Sequence, residues 1–161
     1  MGERPAALDR LQLPTGADLS RFVSAVRGPL RGSACRAIAI GAWVFVMLRR
    51  SGLRPLVQDR PDLPDGDPMW ARHVATAVDA GLELLPVRIT CLRRSLTLQR
   101  ELHRLSIRAA LVLGVRRRDG RVEAHAWIEV GGEVVNDPAE LVATYRPLAV
   151  GDAGRLMAAF G

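Results

Sequence analysis

The chain contains no lysine. All 23 of its basic side chains are arginine, set against 17 carboxylates, for a net charge of +6. A surface of that sign attracts nucleic acid, anionic lipid or an acidic peptide. Aromatic residues are scarce as well, at 4%, so single-stranded nucleic acid would find few rings to stack on. The densest basic run, Arg116-Arg117-Arg118-Asp119-Gly120-Arg121, reads as a solvated hairpin tip turning at Asp119-Gly120. No nucleic-acid partner is expected.

Cysteine is nearly absent, with only Cys35 and Cys91. The N-terminus, Met1-Gly2-Glu3-Arg4-Pro5, has no apolar signal core. A cytoplasmic protein with reduced thiols is therefore expected. The longest apolar run, Ala37 to Leu48, has 12 residues between Arg36 and Arg49, short of the roughly 20 that a span requires. It is expected to be a buried helix, with no transmembrane segment. Two cysteines and three histidines are scattered without a close-spaced ligand pair, which argues against zinc. Internal repeats and low-complexity segments are missing too. At 161 residues, 48% hydrophobic and 25% charged, the chain suits one globular domain with a real core.

The periodicity predicts mostly helices first and strands second. Residues 1–28 read as an irregular arm with one short helix near Leu19–Val26, ended by Gly28-Pro29. Ser33 to Arg50 reads as a helix with Ser33 as N-cap and Gly52 just beyond its end. It is apolar nearly all round and should be deeply covered. Asp67-Pro68 marks the start of a third helix, running to about Leu85. Thr90 caps a fourth, Cys91 to about Leu105. Strands follow at Ala109–Val115, Val122–Val130 and Glu133–Asp137, with a further strand near Thr144–Leu148 and a terminal helix from Asp152. Helices packed on a small antiparallel sheet make an α+β fold.

Cys91, His125 and Asp137 stand out because they suit one chemistry. A thiol attacks as thiolate, and the first turn of a helix favours an anion. An imidazole can take the thiol proton and return it to a leaving amine. A carboxylate orients that imidazole. Taken singly, Cys91 reads as a small buried hydrophobe, His125 as a structural hydrogen-bonder and Asn136-Asp137-Pro138 as a turn. Together they read as an acyl-transfer site. His73 and His103 lie on helices without an acidic partner and read as surface or packing residues. Strand alternation adds a constraint. A two-residue Gly131-Gly132 turn would pair Val130 with Glu133 and send Asp137 to the other face from His125. A three-residue loop, or a bulge, would pair Glu129 with Glu133, Ile128 with Val134 and His125 with Asp137. The triad therefore predicts the odd loop.

The segments Cys91-Leu92-Arg93-Arg94-Ser95-Leu96, Leu113-Gly114-Val115, Ala124-His125-Ala126-Trp127-Ile128-Glu129 and Asn136-Asp137 resemble the transglutaminase-like cysteine peptidases of lasso-peptide biosynthesis. These are the B proteins, in their stand-alone leader-peptidase form. The resemblance covers roughly Pro68 to Pro138. It implies Cys91 as nucleophile, His125 as base and Asp137 as the orienting acid, with no metal, nucleotide or other cofactor. It implies a transglutaminase-like, papain-like core over 67–161, an N-terminal helix and loop packed on it over 29–66, and an arm over 1–28. The implied reaction removes the leader from a ribosomally made precursor. The implied partners are that leader peptide, a separate leader-recognition protein acting in trans, and the ATP-using macrolactam cyclase. On that reading Arg93, Arg94, Arg100 and Arg104, on the wet side of their helix, suit docking of an acidic leader. The alternatives are acyl transfer to an amine, and a non-catalytic peptide-binding module on the same fold.

Overall fold

A computed structural model describes residues 14–53, 56–57 and 59–148 of the chain. The expected terminal helix from Asp152 and residues 1–13 of the 1–28 arm lie outside the described residues.

Among the described residues four helices precede the sheet, each started by a recognisable local signal except one. Helix α1 spans Gly16–Arg27, longer than the periodicity predicts. Thr15 and Asp18 form a reciprocal capping box at its start, a T-x-x-D signal that precedes any apolar repeat. Helix α2 spans Arg31–Ser51. Ser33 is not its N-cap: Leu30 holds that position without a side-chain bond. Ser33 lies inside the helix, buried, where its hydroxyl helps to hold the Glu101 pKa down. Gly52 ends the helix with a φ of +70°. Helix α3 spans Pro68–Leu82, with the Asp67 carboxylate accepting from Met69 N at 2.9 Å and proline in the first turn. Helix α4 spans Cys91–Arg104, with Thr90 Oγ1 accepting from Arg93 N.

The sheet is antiparallel, in the order β3-β2-β1-β4. Its strands are β1 (Ala110–Arg118), β2 (Arg121–Val130), β3 (Glu133–Val134) and β4 (Arg146–Pro147). Asp119 and Gly120, both at positive φ, join β1 to β2. A single helical turn, α5 (Ala139–Val142), stands between β3 and β4. The α+β expectation is met.

The main core joins α3 and α4 to the sheet through Val74, Val78, Leu98, Leu102, Ile128 and Val130. Full burial of side chains this size contributes about 1.5–3 kcal/mol each. Helices α2 and α3 approach very closely where Gly81 meets Ala34 and Ala37. A Cβ on Gly81 would collide with the Ala34 carbonyl oxygen.

Helix α2 is not covered all round, which corrects the expectation from its composition. One face (Ala34, Ala37, Gly41, Val44) is buried, while Trp43 and Val46 are each 42% exposed. By length and composition α2 could cross a membrane. Within this fold, however, its Arg36 is tied to Glu101 of α4 at 2.8 Å. The arginines of α4 are also engaged rather than free. Arg94 and Arg104 sit in ion pairs, and Arg93 and Arg100 lie over the rings of Phe45 and Trp43.

Glu101 is wholly buried. Burial alone would raise its pKa, but hydrogen bonds from Arg104, Arg36 and Ser33 outweigh burial and hold it at about 2. A carboxyl depressed in the folded state contributes stability that is complete above its unfolded pKa, near 4.5, and lost as pH falls through the folded one. The shift corresponds to roughly 3 kcal/mol. Denaturant titrations between pH 6 and 2 should therefore show stability falling from about pH 4.5 downward. Glu101→Gln should flatten much of that fall and cost about 3 kcal/mol at neutral pH. An unchanged acid profile in Glu101→Gln would remove this ion cluster from the account.

Candidate active site

Cys91 is the first residue of α4, half-buried and free of any disulfide. His125 lies on β2, opposite Gly114 of β1. Alternation along β2 places Ala126, Ile128 and Val130 in the buried set and turns His125, Trp127 and Glu129 the other way. Trp127 is nevertheless buried, and it donates its indole N–H to Glu129 at 2.8 Å. The His125 ring stacks with two aromatics, with centroids 6.2 Å from Trp127 and 5.1 Å from Tyr145. Gly114 makes this stack possible. A Cβ there would lie 2.7 Å from the Trp127 ring and 3.0 Å from Tyr145 Cβ.

The hairpin corrects the register expected from the triad. Val130 pairs with Glu133 and Glu129 with Val134, around a regular two-residue Gly131-Gly132 turn with both glycines at positive φ. There is no odd loop and no bulge, and Val134 does not face Ile128. Asp137 still reaches His125, because β3 ends almost as it begins. Val135 N donates to the Ile128 carbonyl at 3.0 Å. The ladder then stops, and the Ile128 N–H donates to the Asn136 side-chain oxygen at 2.8 Å. A side-chain amide thus replaces a backbone carbonyl, and the chain is free to turn out of the strand. That departure cancels the face rule, which holds only while a strand continues. Asp137 Oδ2 comes to 3.4 Å from His125 Nε2.

That 3.4 Å contact is close but is not a formed hydrogen bond, and both atoms are buried without any other bond partner. Buried polar atoms left unpaired are costly. Each is therefore the natural partner of the other. With Nε2 turned to the carboxylate, Nδ1 is the ring nitrogen left to meet a proton donor.

Asn136 also joins the site to Cys91. Its amide donates to Ser95 Oγ at 3.1 Å, and Ser95 Oγ donates to the Ala126 carbonyl at 3.0 Å. Ser95 sits one turn beyond Cys91 on α4, and Ala126 adjoins His125. Both side chains are buried. No hydrogen bond links the Cys91 thiol to His125 among the described residues; the bridge through Ser95 adds a polar tie to the apolar packing that joins α4 to β2.

Residues 50–150 match the family model of the transglutaminase-like superfamily. The chain belongs to that superfamily. Neither the curated proteins nor the solved structures gave a match. Transglutaminase-like domains include cysteine peptidases and acyltransferases and are typically catalytic. The matched span holds Cys91, His125 and Asp137, together with Ser95, Asn136 and Tyr145.

The last three were not singled out as site residues by sequence reasoning. Ser95 and Asn136 matter because they are buried, which a linear pattern of small polar residues does not reveal. Tyr145 lies far from His125 along the chain and reaches it only because β4 pairs with β1. Among the described residues, no group of three or more His, Cys, Asp or Glu is placed to hold a metal ion.

Asn136→Ala strands the Ile128 N–H and removes the donor to Ser95. It should lower unfolding stability by about 2–3 kcal/mol, read as a shift in denaturant midpoint. Asn136→Asp should not restore it, because a carboxylate supplies no donor for Ser95. Wild-type stability in Asn136→Ala would show that the bridge does not anchor the site.

Proposed function

We propose that this transglutaminase-like chain is a cysteine endopeptidase that removes the leader from a ribosomally made lasso-peptide precursor. The observation that carries the catalytic part is the isolated pairing of His125 Nε2 with Asp137 Oδ2. It lies on a strand bridged to the helix that Cys91 begins. The substrate part is supported by the Cys-Leu-Arg-Arg and His-Ala-Trp-Ile-Glu segments that resemble the lasso B proteins.

In this mechanism Asp137 holds the imidazole with its proton on Nε2. Nδ1 takes the Cys91 proton as the sulfur attacks the scissile carbonyl. The imidazolium then protonates the departing amine, and a thioester to the leader's new carboxyl end remains. Water, deprotonated by His125, releases it. The Cys91 backbone N–H, in the unpaired first turn of α4, is the oxyanion donor nearest the sulfur. The leader arrives on a separate recognition protein in the cytoplasm, and the ATP-using cyclase closes the ring on the new amine.

Incubation with a precursor and its leader-binding protein tests this reading. Wild type should release free leader, and Cys91→Ala should lower the rate by on the order of 10⁴-fold or more. Product masses separate hydrolysis from transfer to an amine, since the transfer product exceeds the free leader acid by the acceptor's mass less one water. An uncut precursor, with the partner demonstrably bound, would contradict the proposal.

A further inference from the structure

We propose that Arg94, held by Asp79, is a positioning residue that aims the Asp137 carboxylate at His125. This rests on the triad reading given above. Arg94 follows Cys91 on α4 by less than one turn, and its side chain is 32% exposed. Its guanidinium grips Asp79 of α3 with two bonds, Nε to Oδ1 at 2.7 Å and Nη2 to Oδ2 at 2.6 Å. The remaining nitrogen, Nη1, donates to Asp137 Oδ1 at 3.3 Å.

The planar fork makes this more than a link between two helices. Once Asp79 takes one edge of the guanidinium, the direction of Nη1 is set. Asp137 then has Oδ1 committed and only Oδ2 left to meet His125 Nε2. A tie between α3 and α4 would need Asp79 alone, and the third contact has no structural purpose beyond Asp137.

Charge points the same way. The Asp137 side chain is only 8% exposed, and a carboxylate taken out of water is stabilised by a cation at hydrogen-bond distance. Burial disfavours the Arg94 charge, but Asp79 first and Asp137 second more than offset this and hold the guanidinium above its ordinary pKa. Asp79 in turn offsets the arginine, so the three groups together keep one net negative charge facing the imidazole. Of the other charged groups near the cluster, Glu83, just past the end of α3, feels Arg94 and Asp79 but is paired with Arg21. Arg72 of α3 is paired with Glu133, and Arg116 of β1 is paired with Glu123 and lies over Tyr145. An open cavity of about 280 Å³ lined by Arg72, Asp79, Arg94, Asn136 and Asp137 adjoins the cluster. Without the Arg94 clamp, Asp137 can turn into that space and be solvated there.

Proton NMR of the full chain tests this with no peptide present, so a failure of leader cleavage does not bear on it. In a Cys91→Ala background at a pH where His125 is protonated, the Nε2–H proton should appear at low field, slow to exchange. With only three histidines in the chain, substitutions at His73 and His103 assign it. Arg94→Gln should abolish the signal. Arg94→Lys, which keeps the charge and loses the fork, should broaden it or move it upfield. Asp79→Asn should weaken it by freeing the guanidinium, and Arg72→Lys should leave it unchanged. Should Arg94→Gln fail to fold, Arg94→Lys and Asp79→Asn decide. A parent lacking the signal, or a signal unchanged in the folded Arg94 and Asp79 variants, overturns the proposal.

Discussion

A buried bridge of three hydrogen bonds holds the rest of the site in place. The Asn136 side-chain oxygen accepts from Ile128 N, its amide donates to Ser95, and Ser95 donates to the Ala126 carbonyl. One network thus touches the helix that carries Cys91, the strand that carries His125 and the segment that carries Asp137. All its members lie away from water, so each bond is worth more intact than its net value in a solvated setting, and each broken one leaves an orphan costing about 1–3 kcal/mol. The remaining contacts are refinements on this frame. Trp127 and Tyr145 hold the imidazole plane, and Gly114 leaves room for both rings.

The element boundaries were legible wherever a local rule acts alone. Thr90 before Cys91, Asp67 before Pro68 and Asp119-Gly120 between two apolar strands each carry their reason within four residues. Ser33 was misread as a cap because the helix begins earlier, at Arg31, and leaves Ser33 buried inside it. Composition overstated the burial of α2, since hydrophobic residues all round a helix do not say which neighbours exist to cover them. The hairpin is the most instructive case. Alternation correctly excluded a continuous β3 strand that keeps the Asp137–His125 contact behind a two-residue turn. The solution is a strand of two residues and a side chain standing in for a carbonyl, and no periodicity describes that.

Four of the arginines make contacts that hold the fold together. Arg36 and Arg104 neutralise a buried glutamate, Arg94 joins two carboxylates, and Arg116 spans a strand pair and a ring. A guanidinium serves these positions because its fixed fork makes two or three directed bonds at once, where an ammonium would offer a point charge. Membership of the transglutaminase-like superfamily places these contacts in a fold that hosts thiol acyl transfer.

The central claim is that Cys91 and His125 act as one unit. Its most direct test is the rate of alkylation by iodoacetamide at pH 6, read at Cys91 and Cys35 by peptide mass. Cys35 is the more exposed thiol and serves as the internal control. The account predicts that Cys91 reacts faster than Cys35 in the wild type, and that His125→Ala removes the advantage while leaving Cys35 unchanged. A Cys91 slower than Cys35, or indifferent to His125→Ala, would contradict it.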